Sequence, residues 1–239
     1  MSIDVSIWSD IACPWCYIGK RRFEKALEDF PQRDQVKVTW RSYQLDPTLP
    51  QHDGRSEVDY LVEAKGMPRE QVAQMLEHVK AQAAGEDLTY DFDALVVANS
   101  RRAHRVLQAA KVADAADGGS RTDTLKDALL AAHFEAGEDI GDVEVLTRLA
   151  AEAGLDQSEA REAVDSEELD RAIDADIALG RQIGVQGVPF FVFENKYGVS
   201  GAQPPEVFAQ VLQTVASEQT PGLITIDGGA GDACGPDVC

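Results

Sequence analysis

The sequence predicts an α/β fold in which one sheet is built from both ends of the chain and interrupted by a large all-helical insertion. Strand-like alternation of apolar and polar residues marks residues 3–7 and 36–41, and a second apolar, β-rich run begins near residue 187. Residues 49–184, between them, show almost wholly helical periodicity. With 239 residues the chain can bury a large core, as one elaborated domain or as two.

The first segment predicts a β–α–β unit. Residues 3–7 and residues 36–41 alternate between apolar and polar side chains, as strands with one buried face do. The intervening residues 14–30 have the length and pattern of a helix.

The middle of the chain predicts a series of helices that begin at capping residues. Ser56, Asp142 and Ser166 each precede an apolar stripe at helical spacing, and Pro68 suits a first helical position. Asp93 is predicted to cap a long helix that ends at Gly118-Gly119.

The last part of the chain returns to the sheet. Residues 187–193 are apolar and β-rich, residues 197–200 can pair with them, and Pro204-Pro205 begins a final helix. The predicted domains are therefore a discontinuous first domain of residues 1–48 and 185–217, an insertion of residues 49–184, and a flexible tail of residues 218–239 with little to bury.

The charge composition argues against two classes of binding partner. The formal net charge is −20, from 42 acidic and 22 basic residues, which argues against nucleic acid and anionic membranes as binding partners.

The first five residues lack the basic start and long apolar segment of a secretory signal, and no apolar run approaches the ~18 residues of a membrane helix. We therefore expect a cytoplasmic protein. In that reducing compartment, four cysteines favour a redox or metal role over a structural framework.

The motif Cys13-Pro14-Trp15-Cys16, at the junction of a predicted strand and helix, is typical of thiol–disulfide exchange. If Cys13 is the N-cap, Pro14 removes no amide that the helix needs. The free amides of the first turn and the helix dipole would then favour a thiolate at Cys13. Cys16, one turn further on, would be the resolving thiol.

Zinc is the competing interpretation of this motif. Cys234 and Cys239 could supply two further ligands, although their spacing is C-x4-C and they lie at the extreme terminus. Because Pro14 lies inside the pair, helix capping and redox chemistry are favoured over zinc, and no metal is predicted.

Val188-Pro189 is the second candidate element. A proline that opens an apolar strand is often merely an edge device. A cis Val188-Pro189 bond would instead leave the Val188 backbone free to pair with an extended peptide or a thiol ligand. The candidate substrate-binding residues are therefore Trp15, Val188 and Pro189.

Taken together, these motifs resemble the DsbA-like thioredoxin superfamily, and within it the cytosolic FrnE-type branch related to kappa-class glutathione transferases and 2-hydroxychromene-2-carboxylate isomerases. The stretches 99–105 and 133–140 are also similar to the insertion helices of that branch. The resemblance implies a thioredoxin-like fold, Cys13 as the attacking thiolate, Cys16 as the resolving thiol, and Pro189 as a cis-proline that faces them.

Departures from these relatives separate the candidate functions. The transferases and isomerases resemble Ser-Pro-x-Ser at this motif, and serine cannot exchange disulfides. The Gly-Ser-Asp element that holds glutathione in the kappa class resembles Gly201-Ala202-Gln203 here, which has lost the hydroxyl and the carboxylate. The prediction is a thiol–disulfide oxidoreductase without a bound cofactor, acting on protein or peptide thiols and disulfides, with glutathione as a candidate co-substrate. A glutathione-dependent isomerase or transferase and a peptide-binding chaperone remain the alternatives.

The second cysteine pair, Cys234 and Cys239, is predicted to be an auxiliary redox pair. Gly235-Pro236 favours a turn that would bring the two residues together, and surrounding carboxylates raise thiol pKa values. A dithiol with poorly stabilised thiolates is the more reducing partner, so electrons would pass from this pair to Cys13 and Cys16. A passive terminal disulfide and a loose metal chelate are the alternatives.

Overall fold

The computed structural model describes residues 2–219, and these contain a four-stranded mixed sheet. The strand order is β2-β1-β3-β4, with β1 parallel to β2 and the other two neighbouring pairs antiparallel. The strands are β1 Ile3–Ser9, β2 Val36–Ser42, β3 Phe190–Phe193 and β4 Tyr197–Ser200. As the sequence predicts, the sheet joins segments from both ends of the chain.

Helices account for most of the remaining described residues, together with a short 3-10 helix, Arg33–Gln35. Seven of them, α2 to α8, lie between β2 and β3 in the chain. The helices are α1 Pro14–Glu28, α2 Glu57–Lys65, α3 Arg69–Ala84, α4 Arg101–Asp117, α5 Arg121–Phe134, α6 Val143–Glu152, α7 Gln157–Val164, α8 Glu167–Gln182 and α9 Pro205–Gln219.

The sheet and the two helices α1 and α9 bury a common apolar core. Phe23 of α1 contacts Phe191, Phe193 and Phe208, with ring centroids 5.5, 6.1 and 5.6 Å away. We call these four residues the aromatic cluster. All four are at most 2% exposed, so α1 is fixed against the sheet by close packing.

The opposite face of α1 packs against the inserted helices. Tyr17 and Ile18 are buried among side chains from α3, α5 and the segment between α3 and α4, including Tyr90 and Phe134. The Tyr90 hydroxyl also donates a hydrogen bond of 2.7 Å to the carbonyl oxygen of Pro14. The insertion thereby holds the first turn of α1.

Two features of the insertion differ from the sequence predictions. The helix predicted to begin at Asp93 begins at Arg101, because the Asp91 carboxylate accepts hydrogen bonds from the amides of Asp93 and Ala94 and forms a turn there. The predicted series also lacked α7, whose N-cap is Asp156.

Several predicted positions lie outside the described residues. These include Cys234 and Cys239, so the auxiliary pair stays a prediction, as do the domain boundaries. Among residues 2–219, no helix has both the length and the apolar character needed to cross a membrane. The same part of the chain contains no group of three or more His, Cys, Asp or Glu residues arranged to hold a metal ion.

Candidate active site

The two cysteines of the first motif lie where β1 leads into α1. Cys13 is the N-cap of α1, with extended backbone, and Pro14 occupies the first helical turn. Both cysteines are free thiols, and Cys13 is 3% exposed whereas Cys16 is 1% exposed. Of these two, Cys13 borders a cavity of about 420 Å³, which makes it the sulfur that a substrate can reach.

The segment that precedes β3 faces the dithiol. The Val188-Pro189 peptide bond is cis, as predicted, and the Cys13 thiol donates a 3.5 Å hydrogen bond to the Val188 carbonyl oxygen. The Pro189 ring lies so close to α1 that a Cβ at Gly19 would be 2.8 Å from Pro189 Cγ. Gly19 therefore permits the approach of this segment to the motif, a role that the sequence alone did not reveal.

The amides of the first turn stabilise a Cys13 thiolate less than the sequence predicts. The Cys16 amide donates a hydrogen bond of 2.9 Å to the Cys13 carbonyl oxygen, and the Cys13 side chain accepts no capping hydrogen bond. The same amide acts to lower the pKa of Cys13, which is the predicted direction, but larger causes outweigh it.

The two sulfurs ionise as a pair. The hydrogen bond with Cys16, together with burial, raises the pKa of Cys13 well above its ordinary value, and Asp10 adds to the rise. Burial also acts to raise the pKa of Cys16, but the hydrogen bond from Cys13 and the Lys126 charge outweigh it and lower the pKa. These surroundings favour the anion at Cys16, whereas the sequence analysis places it at Cys13, and the role of Cys13 as the attacking sulfur stays a prediction.

A buried lysine supplies positive charge beside this pair. Lys126 of α5 is 1% exposed, and its Nζ lies 5.5 Å from the centre of the Trp40 ring. Burial lowers the pKa of Lys126 to about 8, although the charges of Cys16 and Asp10 act against that shift. Sequence reasoning missed this residue, because a lysine within a helical stretch carries no sign of burial.

A buried carboxylate, that of Asp10, also lies close enough to the cysteines to affect the pKa of Cys13. Asp10, immediately after β1, accepts a hydrogen bond of 2.7 Å from the Leu45 amide, and it lies 3.2 Å from His104 Nε2. Burial would raise the pKa of Asp10, but its hydrogen bonds, first of all that with His104, lower it. Burial also lowers the pKa of His104, so a neutral imidazole donates to an ionised carboxylate.

Trp15 lies at the mouth of the site. It is partly exposed, borders the same cavity as Cys13, and packs near His78 with ring centroids 6.1 Å apart. The structure thus brings together Cys13, Cys16, Trp15 and the segment of Val188-Pro189.

Comparison with known proteins agrees with this geometry. Residues 4–213 match the DSBA-like thioredoxin domain family. The chain belongs to this family. The predicted superfamily and the thioredoxin-like fold with a helical insertion are both confirmed, whereas the FrnE-type branch stays a prediction.

Three proteins illustrate what this chain is similar to. A probable DsbA oxidoreductase from Streptomyces coelicolor is 42% identical with a TM-score of 0.84, over 99% of this chain and 98% of that chain. The YwbO protein of Bacillus subtilis is 25% identical over 167 residues, 70% of this chain and 74% of that protein. The cytosolic disulfide reductase DsbM from Pseudomonas aeruginosa, 20% identical with a TM-score of 0.59 over 90% of this chain and 99% of that chain, is similar in fold.

Proposed function

We propose that the protein is a thiol–disulfide oxidoreductase that works through Cys13 and Cys16. One observation carries the proposal: a free thiol at Cys13 borders a cavity, faces Val188 and the cis Pro189, and lies beside a deeper second thiol, Cys16. Membership of the DSBA-like family and the identity of 42% to a probable DsbA oxidoreductase support it.

The reaction follows from the proton arrangement of the pair. The pair reacts in its singly ionised form, with the anion on Cys16. As Cys13 attacks a substrate disulfide, its proton passes to the Cys16 thiolate. A bond forms between Cys13 and one substrate sulfur, the substrate disulfide breaks, and its other sulfur leaves as a thiolate. That thiolate takes a proton from Cys16, which then attacks Cys13 and releases the second substrate sulfur. The enzyme dithiol is oxidised, the substrate is reduced, and the reverse sequence oxidises a dithiol.

Peptide disulfides suit the surroundings of Cys13 better than tightly bound glutathione. In the Gly201-Ala202-Gln203 segment the polar groups have partners within the protein: Arg22 donates to the Ala202 carbonyl oxygen at 2.7 Å, and the Gln203 amide donates to Ser200. An extended peptide would instead pair with the Val188 backbone, with Trp15 beside it. The isomerase and chaperone alternatives make no use of the second thiol.

Trapping of a mixed disulfide tests the proposed function. Cys16→Ala should retain attack by Cys13 and accumulate a covalent enzyme–peptide disulfide, whereas Cys13→Ala should form none. Both variants should lose turnover in insulin reduction. Turnover that survives in Cys13→Ala would contradict the proposal and favour a function without exchange at this motif.

The relay from Cys234 and Cys239 remains a proposal of its own, as does the cytoplasmic location. A full-length Cys234→Ser/Cys239→Ser variant should keep the chemistry of Cys13 and Cys16 but turn over more slowly when electrons must be resupplied. Unchanged turnover with every reductant would contradict the relay.

A further inference from the structure

The cavity beside Cys13 is built mostly from apolar side chains. It lies between the loop that follows β1 and the helices α2 and α3, and its volume of about 420 Å³ is within the range of small-ligand pockets. Its apolar wall includes Leu45, Leu49, Leu61, Met75, Leu76 and Val79. An apolar group attached to the reacting sulfur would therefore be buried on the α2–α3 side of Cys13.

The carboxylates that line this cavity differ in their hydrogen bonding. Asp10 is bonded by the Leu45 amide and His104, and Asp46 accepts hydrogen bonds from Thr48 and from the Tyr60 hydroxyl. Glu57, in the first turn of α2, accepts no such hydrogen bond from the described residues.

Glu57 lines the cavity without a protein partner. Among residues 2–219 no donor hydrogen-bonds its carboxylate and no cation lies within ion-pair distance of it. Burial raises the pKa of Glu57 to about 7, against a small opposing effect of Lys65. A carboxylate that is partly buried and unpaired loses hydration without compensation, so a positively charged ligand would stabilise it.

Cationic groups of the protein do not neutralise this cavity. His133 borders it and is 3% exposed, and its Nδ1 has no hydrogen-bond partner in the described part of the chain. Burial lowers the pKa of His133 to about 4, so it is uncharged near neutral pH. Lys65, the cation of the lining, is exposed.

We propose that this cavity selects substrates in which an apolar stem beside the reacting cysteine ends in a positive charge, namely a lysine or arginine of a peptide. Such side chains bury their methylene stems along apolar surface and keep the charged head at a polar site. Glutathione and other anionic thiols are disfavoured by the same carboxylates. The inference rests on the proposed function and names its substrate class.

Matched peptides test this selectivity. Three acetylated tetrapeptide amides with a cysteine activated as the 2-pyridyl disulfide would differ at one neighbouring position, occupied by lysine, norleucine or glutamate. Reaction with the reduced full-length enzyme releases 2-thiopyridone, whose absorbance gives the rate constant. We expect the lysine peptide to react about tenfold faster than the glutamate peptide, with norleucine between them.

Variants separate a local effect from the overall negative charge of the protein. Glu57→Gln should reduce the lysine-to-glutamate rate ratio severalfold, and Glu57→Lys should invert it. Glu77→Gln is the matched control, because Glu77 lies on the exposed face of α3 and outside the cavity, while the change in net charge is the same. Equal effects of Glu57→Gln and Glu77→Gln, or a ratio near one in the unmodified enzyme, would overturn the proposal.

The pH dependence of the rate ratio gives a second readout. Ionisation of the cysteines affects both peptides alike, so it cancels in the ratio. The other titratable or charged groups that line the cavity are Cys13, Asp10, Asp46, Tyr60 and Lys65 of α2, and His133 of α5. Burial raises the pKa of Glu57 to about 7, so the ratio should rise as pH increases through 7. A flat ratio between about pH 6 and pH 8 would contradict the role of Glu57.

Failure of the cavity proposal is distinguishable from failure of the proposed function. The uncharged disulfide of 2-mercaptoethanol should oxidise the enzyme through Cys13 whatever the cavity prefers. If that reaction proceeds and the peptides show no preference, only the selectivity is wrong. If neither the small disulfide nor the peptides react, the exchange chemistry itself is absent.

Discussion

Apolar side chains pack against both faces of α1, but buried ionisable groups lie on the side of the inserted helices. Towards the sheet, the aromatic cluster is entirely apolar, and Phe208 is 0% exposed. Towards the inserted helices, α1 carries the dithiol, and beyond it lie the buried Asp10, His104 and Lys126. Apolar burial stabilises a fold, whereas burial of ionisable groups costs free energy and shifts their pKa values. The comparison indicates that the sheet side supplies stability and the helical side tunes the chemistry.

The largest expected effect is on the sheet side. Phe208→Ala should lower the free energy of unfolding by about 3–5 kcal/mol, because it leaves a cavity among Phe23 and Phe191. The exchange rate of the folded molecules should stay nearly unchanged. Denaturant titration and a peptide-exchange assay measure the two quantities. Phe92→Ala, at a partly exposed position on the helical side, is the control and should cost less. If the exchange rate of the folded molecules also fell markedly, the sheet side of α1 would not be a purely stabilising region.

Lys126→Met is expected to stabilise the fold and to change the ionisation of the cysteines. The pKa of Lys126 falls from 10.5 to about 8 on folding, so its protonated form destabilises the fold at pH 7. Removal of the charge should raise the free energy of unfolding by about 3 kcal/mol. It should also raise the pKa of Cys16, which Lys126 lowers. Ultraviolet thiolate absorbance against pH measures that shift, with the exposed Lys80→Met as the control. An unchanged thiol titration would contradict this role.

The free energy of unfolding should decrease at acidic pH because of the buried His133. Its pKa is about 4 in the folded state against an ordinary 6.5, so the unfolded chain takes up the proton first as pH falls. Its contribution to stability is complete above 6.5 and is lost towards pH 4, by about 3 kcal/mol. Unfolding measured across this range should show less pH dependence in His133→Leu. Equal slopes in His133→Leu and the unmodified protein would refute the assignment.

The smallest effect concerns the contact between α1 and the cis-proline. A Cβ at Gly19 would lie 2.8 Å from Pro189 Cγ, so Gly19→Ala forces a shift of this segment. We expect a net loss of about 1–2 kcal/mol, since overpacking costs more than alanine gains in helix propensity. The exchange rate should fall as well. Gly54→Ala, whose Cβ meets no atom within 4 Å, is the control. Full activity in Gly19→Ala would show that the position of Pro189 is not critical.

The sequence predicted the parts of the fold that depend on local signals. The alternation in β1 and β2 and the caps at Ser56 and Asp142 all mark elements that the structure contains. The start of α4 was wrong because the residues after Asp93 form a turn around the Asp91 carboxylate. A turn of this kind competes with a capped helix and uses the same residue types.

The active site was predictable in its cysteines and its cis-proline but not in its charges. Asp10 acts to raise the pKa of Cys13, and its burial beside the pair has no local signal in the sequence. The role of Lys126 depends on how α5 packs against α1, more than a hundred residues away in the chain. The contribution of the Cys16 amide to a Cys13 thiolate is smaller than predicted, because the sequence does not show that this amide also bonds the Cys13 carbonyl oxygen.

The reversible two-electron couple of Cys13 and Cys16 is the most direct test of the account. The full-length Cys234→Ser/Cys239→Ser variant, which retains only the first pair, would be equilibrated in glutathione buffers of varied ratio and quenched with an alkylating agent. We predict that mass spectrometry finds one intramolecular disulfide between Cys13 and Cys16, which appears and disappears as a single two-electron transition. Two free thiols at every buffer ratio would contradict the account.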